Sequence, residues 1–100
     1  MSITFTESDN RREVVIHVAG RFDFSCHQEF VRGYKEYPKG EKSFVVDLSS
    51  TEYMDSSAMG MLLQLREYAH RDGGVSLVNG REGVLEILRI ANFDRLFRIA

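Results

Sequence analysis

Two segments constrain this chain more than any others. One is the apolar run Phe44-Val45-Val46-Asp47-Leu48. The other is the helix-forming stretch from Met59 to His70, reached through the polar triplet Asp55-Ser56-Ser57. A short, nearly continuous apolar run is the pattern of a strand covered on both faces, so Phe44 to Leu48 is expected to be central in a sheet. Asp72-Gly73-Gly74 stops the helix that follows, with glycine available for a left-handed cap, and Val75 to Val78 supplies the next strand. Strand, helix and strand in that order impose parallel pairing through a right-handed crossover. Asp55 or Ser56 can cap the first exposed N–H groups of the helix, where the helix dipole leaves partial positive charge. By itself such a triplet is an ordinary cap.

The rest of the chain extends the same logic. Ile3 and Phe5 alternate with Thr4 and Thr6, and Val14 to Ala19 is rich in β-branched residues, which predicts two antiparallel strands joined by a tight turn. Val14, Ile16 and Val18 share one face; Val15, His17 and Ala19 take the other, leaving His17 half-exposed. Ser25 followed by Gln28 matches a capping box, Phe30 and Tyr34 supply the apolar stripe of that helix, and Pro38-Lys39-Gly40 ends it. In the second helix Ala58, Leu62, Leu65 and Ala69 form the buried stripe, widened by Met59 and Leu63. Asn79-Gly80-Arg81-Glu82 reads as another capping start, after which Val84, Leu85, Leu88 and Ala91 face inward. Leu96 to Ile99 adds an edge strand or packs as coil.

The expected fold is therefore α/β: residues 1–100 as one domain, a mixed sheet of four to five strands with three to four helices, in the order β-β-α-β-α-β-α with or without a last β. Strands ending near Gly20, Leu48 and Val78 point the same way, so the loops that follow them converge. Those loops carry Asp23, the segment from Asp47 to Ser57, and Asn79-Gly80, at the sheet edge where α/β proteins place their sites.

Composition narrows the function. One hundred residues, 43% of them hydrophobic, make one modest core. Thirteen Lys and Arg against fifteen Asp and Glu, with the basic residues scattered, give nucleic-acid binding no electrostatic footing. Residues 1–6 alternate where a secretion signal would be continuously apolar, and no stretch approaches the roughly 20 apolar residues of a membrane span. Cys26, the single cysteine, has no disulfide partner and belongs to no metal-ligand pattern. The expectation is a cytoplasmic protein without metal or cofactor, monomeric or weakly dimeric.

Two rival readings, a serine hydrolase and a nucleotide-binding loop, find little support in the spacing. Ser57, Asp55 and a histidine are the residue types of a hydrolase triad. His17 lies within a strand, however, His27 sits in the first turn of a helix, and His70 falls roughly 20 Å from Ser57 along its own helix. There is no Gly-x-Ser-x-Gly elbow either. Gly80-Arg81-Glu82-Gly83 lacks the Walker lysine and the dinucleotide spacing, so a tight turn explains its glycines.

The run Asp55-Ser56-Ser57-Ala58-Met59-Gly60-Met61-Leu62-Leu63, preceded by Val45-Val46-Asp47-Leu48-Ser49 and by Gly20-Arg21-Phe22-Asp23, resembles the STAS family of bacterial anti-sigma factor antagonists over nearly the whole chain. Ala58 and Met59 stand where many members have Gly and Leu. The resemblance implies a non-enzymatic partner switch: Ser57 the phosphorylated residue, Asp55 and Ser56 shaping the helix start, Asp23 and Asn79 flanking the partner interface, and Asp47 ordering the loop. It implies as partners an anti-sigma factor or serine kinase with a histidine-kinase-like ATPase domain, and a serine phosphatase that resets the switch. The alternative within the family is a STAS scaffold subunit of a lipid-transport or stress-signalling assembly, with Ser57 structural.

Overall fold

The computed structural model describes residues 3–70 and 74–100. The described strands are β1 (Ile3–Glu7), β2 (Glu13–Val18), β3 (Gly20–Phe22), β4 (Ser43–Asp47), β5 (Thr51–Met54), β6 (Val75–Val78) and β7 (Arg98–Ile99). The helices are α1 (His27–Tyr34), α2 (Ser56–Tyr68) and α3 (Glu82–Ile90), with single 3-10 turns at Phe24–Cys26 and Phe93–Arg95.

Five strands form the main sheet in the order β1-β2-β4-β6-β7. β1 and β2 are antiparallel, with Ile3 opposite Val18 and Glu7 opposite Val14. They are joined not by a tight turn but by a longer loop, in which Arg11 takes a positive φ of 58° and the Ser8 carbonyl accepts from its N–H. All the other pairings are parallel: Val15 lies beside Val45, Val46 beside Leu77, and Ser76 beside Arg98. β4 is central, as its apolar run predicts, and residues 98–99 add the edge strand.

Its expected burial on both faces is not what the structure shows. Phe44 and Val46 are buried, as are Val14, Ile16, Val18, Val75 and Leu77, whereas Val45 and Asp47 are only half-buried and His17 is exposed. The steps from β2 to β4, β6 and β7 all run in one direction. Right-handed crossovers stepping one way place their helices on one face, which leaves the other open. Beneath the helices the core is closed by Phe22, Phe30, Tyr34 and Phe44, with Phe22 and Phe30 at a centroid distance of 5.2 Å.

β3 and β5 form a separate, parallel two-stranded ribbon in which Arg21 lies opposite Tyr53 and Phe22 opposite Met54. Gly20, at φ 77°, turns the chain out of β2 into this ribbon, and its N–H donates to the Ser50 carbonyl at 2.9 Å. Such a φ is open to glycine and strained for residues with a Cβ. The Thr51 hydroxyl, completely buried, donates to the Val18 carbonyl at 2.6 Å and ties the ribbon to the main sheet.

α2 begins at Ser56, three residues before the expected Met59. Ala58, Leu62, Leu65 and Ala69 are buried as their spacing requires. Met61 is buried beside them, while Leu63 is 38% exposed, correcting its assignment to the stripe. At 100° per residue Met61 follows Ala58 at i+3, whereas Leu63 at i+5 rotates off the face. Val84 and Leu88 bury the inner side of α3, with Ala91 partly buried against the same core. Asp72 and Gly73, assigned to the end of α2, lie outside the described residues.

Ala58 has 0% exposure in the first turn of α2, between helix and sheet. Ala58→Leu is expected to lower stability by about 1–3 kcal/mol through overpacking. Chemical denaturation checks this, and an unchanged midpoint would place residue 58 at the surface.

Candidate functional site

The carboxyl ends of the parallel strands gather three loops, and each is fixed by an Asp or Asn side chain. At the start of α2, Asp55 has extended backbone and its carboxylate accepts the Ala58 N–H at 3.0 Å. Asp55 is thus the cap, and Ser56, the other candidate, is the first helical residue. The Met59 N–H reaches the Asp55 carbonyl at 3.2 Å. The N–H groups of Ser56 and Ser57, and both hydroxyls, have no hydrogen-bond partner among the described residues. Ser56 is exposed and Ser57 half-buried. This leaves two donors at the positive end of a 13-residue helix, with the Ser57 hydroxyl next to them.

Asp23 repeats this arrangement on the neighbouring strand. Its carboxylate accepts from the Ser25 N–H at 3.0 Å and from the Ser25 hydroxyl, and caps the 3-10 turn Phe24–Cys26. The expected Ser25–Gln28 capping box is therefore absent. Ser25 is already committed to Asp23, and α1 starts at His27 behind Cys26 with no side-chain cap. The Ser25 hydroxyl and N–H, aided by Arg21, outweigh the weak opposing effect of burial and hold the Asp23 carboxyl below its usual range. The two capping segments meet in the ribbon, where the Asp55 N–H donates to the Phe22 carbonyl at 3.4 Å.

Asn79 lies on the other side, after β6, with a positive φ of 60°. It does not help to cap α3, whose N-cap is Arg81 without a side-chain hydrogen bond. Its amide instead donates to Asp47 at 3.4 Å. Asp47 is a hub. One oxygen accepts from the Ser49 N–H at 3.0 Å and from Asn79, and the other faces His17 Nδ1 at 3.0 Å. Burial pushes the Asp47 carboxyl up, but the hydrogen bonds from Ser49 and Asn79 and the nearby His17 together bring it below its usual value. Arg81 Nε adds a hydrogen bond to the Ser49 carbonyl at 3.2 Å.

The structure thus joins Asp23 to the Asp55 segment through the ribbon and Asn79 to Asp47 through a side chain; neither touches Ser57. Three contributors to this edge were missing from the sequence reading: His17 on Asp47, Arg81 on Ser49, and Arg21, whose guanidinium stacks over the Tyr53 ring at 4.2 Å. One signal for the last was available, because Arg21-Phe22-Asp23 and Tyr53-Met54-Asp55 share a pattern of long side chain, apolar residue and capping Asp. His27 stacks on the 69% exposed Phe24, and His17 is held by Asp47. Both therefore have side-chain partners other than Ser57. No cluster of three or more His, Cys, Asp or Glu suited to a metal occurs among the described residues, and no described helix is long and apolar enough to cross a membrane.

Comparison with known proteins agrees with this architecture. The family model described as "Mlab, STAS domain" matches residues 5–98. A STAS-domain containing protein of Pseudomonas aeruginosa (strain UCBPP-PA14) is 43% identical over the full length of both chains. The chain belongs to the STAS domain family. Its fold is shared with a protein of Thermotoga maritima assigned as an anti-sigma factor antagonist, at a TM-score of 0.82 and 22% identity over 97% of this chain and 84% of that one. It is shared also with the anti-sigma factor antagonist SpoIIAA in its unphosphorylated form, at a TM-score of 0.72 and 20% identity over 99% and 88% of the two chains.

Two outcomes follow for the caps. Asp55→Ala is expected to lower stability by about 0.5–2 kcal/mol and Asp55→Asn by far less, because an amide oxygen still accepts the Ala58 N–H. Equal losses in thermal unfolding would show that charge, not capping, matters there. For Asp47, the folded carboxyl titrates below the unfolded value near 3.8. Its contribution is complete above that value and lost as pH falls through the lower folded one. Denaturation midpoints measured against pH should therefore show wild type losing its advantage over Asp47→Asn below about pH 4. A difference that stays constant through the acid range would contradict the hub.

Proposed function

We propose that this STAS domain is an anti-sigma factor antagonist that works by partner switching. Unphosphorylated, it binds an anti-sigma factor or serine kinase with a histidine-kinase-like ATPase domain in the cytoplasm. Phosphorylation of Ser57 releases it, and a serine phosphatase resets it. The observation that carries this reading is the start of α2: a half-buried Ser57 hydroxyl without a partner, in a turn whose cap is already supplied by Asp55.

The same geometry supports the direction of the switch. A phosphate adds about −1.5 to −2 charge. The uncommitted N–H groups of Ser56 and Ser57 can accept part of that charge without unfolding the helix. At a packed interface the phosphate must instead be desolvated, beside the carboxylates of Asp55 and Asp23. A neutral Ser57 can be covered by a partner and a phosphorylated one cannot. In this reading Asp55 and Ser56 present the serine, Asp23 and Asn79 flank the partner face, and Asp47 orders the loop between them.

Partner affinity for the wild type and four variants tests it, with mass spectrometry after incubation with the kinase and ATP. Ser57→Ala should fold and bind like the unphosphorylated wild type. Ser57→Asp and Ser57→Glu should fold and bind far less tightly, and Ser56→Ala should still be phosphorylated. Equal affinities for Ser57→Ala and Ser57→Asp would instead assign the chain as a STAS scaffold subunit. Phosphate found on Ser56 alone would move the site by one residue.

A further inference from the structure

The main sheet has two edges, and they differ. β7 is two residues long, whereas β1 runs for five, from Ile3 to Glu7, with an unbroken register on β2. Natural edge strands are usually blunted by proline, lysine, a bulge or a short length. β1 has none of these, and its single charge, Glu7, is tied to Lys42 Nζ at 2.8 Å. Beyond its end the Ser8 N–H donates to the Glu13 carbonyl at 2.8 Å. Hydrogen-bonded pairs alternate along an antiparallel ladder, so Thr4 and Thr6 bond to β2 while the N–H and C=O groups of Phe5 and Glu7 point to the open edge.

Beside this edge a groove of about 530 Å³ opens between β1 and α1. Ile3 and Phe5 line it from the strand, and Glu29, Arg32, Gly33 and Glu36 from the helix. A Cβ at residue 33 would collide with the Phe5 ring, so glycine lets α1 sit directly on the strand. The charges of the groove are acidic on balance, with Glu29 and Glu36 against Arg32. One carboxylate oxygen of Glu29 is buried without a hydrogen-bond partner among the described residues. Glu29 lies in the first turn of α1, where a carboxylate offsets the helix dipole. The dipole accounts for the charge but not for an oxygen withdrawn from water without a donor, which is costly. A cation brought into the groove supplies that donor.

We propose that the β1 edge takes up an extended segment of a partner protein as an added strand, with a lysine or arginine of that segment entering the groove toward Glu29 and Glu36. Strand addition draws affinity from main-chain hydrogen bonds and specificity from pockets for alternate side chains, and here edge and groove lie side by side to supply both. A second copy of this chain fits less well. β1 paired with its own equivalent would bring Ile3, Phe5 and Glu7 to the groove side, and the strand carries no cation. None of the groove residues belongs to the loops around Ser57, so the site does not depend on whether that serine is a switch.

The probe is a synthetic peptide of alternating threonine and valine with one central lysine, acetylated and amidated, titrated into the isotope-labelled domain and followed by NMR. It should bind saturably and move the amides of Phe5, Glu7, Glu29 and Gly33. Replacing its lysine with valine or glutamate should cost about tenfold or more in affinity, as loss of a charge-assisted contact does. N-methylation of alternate peptide residues should abolish binding in one phase, where the N–H groups face β1, and spare it in the other. Glu29→Gln should remove most of the preference for lysine over valine. Absence of saturable binding, amide shifts confined to the Ser57 end, equal affinity for the lysine and glutamate peptides, or equal effects of the two N-methylation phases would each overturn the proposal. So would a stable dimer in sedimentation whose β1 amides are already protected from exchange, since the edge would then belong to a second copy. The peptide series decides the matter even if Glu29→Gln fails to fold.

Discussion

The hydroxyl of Thr51, buried without exposure, donates to the carbonyl of Val18 at 2.6 Å, and the position of the whole candidate site depends on this junction. Val18 is the last residue of β2 in the main sheet; Thr51 is the first residue of the ribbon strand that leads into α2. A buried carbonyl left unpaired costs about 1–3 kcal/mol, so the hydrogen bond fixes where the ribbon can sit. Gly20 makes the matching turn on the other strand. With the ribbon fixed, Phe22 and Met54 enter the core side by side, and the residues after them, Asp23 and Asp55, arrive as two parallel helix caps.

That placement sets the electrostatics. A carboxylate at a helix start satisfies one N–H and leaves the earlier ones facing outward. At α2 the groups left over belong to Ser56 and Ser57. The helix start therefore tolerates an added negative charge locally, while the nearby Asp23 and Asp55 make the surrounding surface intolerant of one once water is removed. Local tolerance with intolerance at an interface is the physical requirement for a phosphorylation that alters binding but not folding. The Asp47 hub serves the same end from the other side, holding the β4–β5 loop to β2 through His17 and to the β6–α3 loop through Asn79.

The order of the large elements was legible because each rests on a run long enough to show its period. The β2, β4 and β6 runs, the stripe from Ala58 to Ala69, and the parallel direction of the strands all emerge from the sequence in this way. What was not legible depends on tertiary context. β3 and β5 are too short to show alternation, and they pair with each other across about thirty intervening residues. The second face of β4 was expected to be covered because Val45 is apolar; only the strand order shows that every crossover steps the same way. Ser25 and Gln28 have capping-box spacing, yet a carboxylate two residues earlier takes the serine first. Asn79 has the residue type of a cap but turns to Asp47 because its backbone is left-handed. In the candidate site, residue types were readable and partners were not: the Asp55 cap could be seen, whereas Arg21 on Tyr53 and His17 on Asp47 require the folded registers.

The most direct test of the account is the intact mass of the protein purified from its own host, before and after phosphatase treatment, with fragmentation to locate any modification. The account predicts a population heavier by one phosphate, removed by the phosphatase and localised to Ser57. A chain that carries no phosphate in its host under any growth condition, or carries it only outside the first turn of α2, would contradict it.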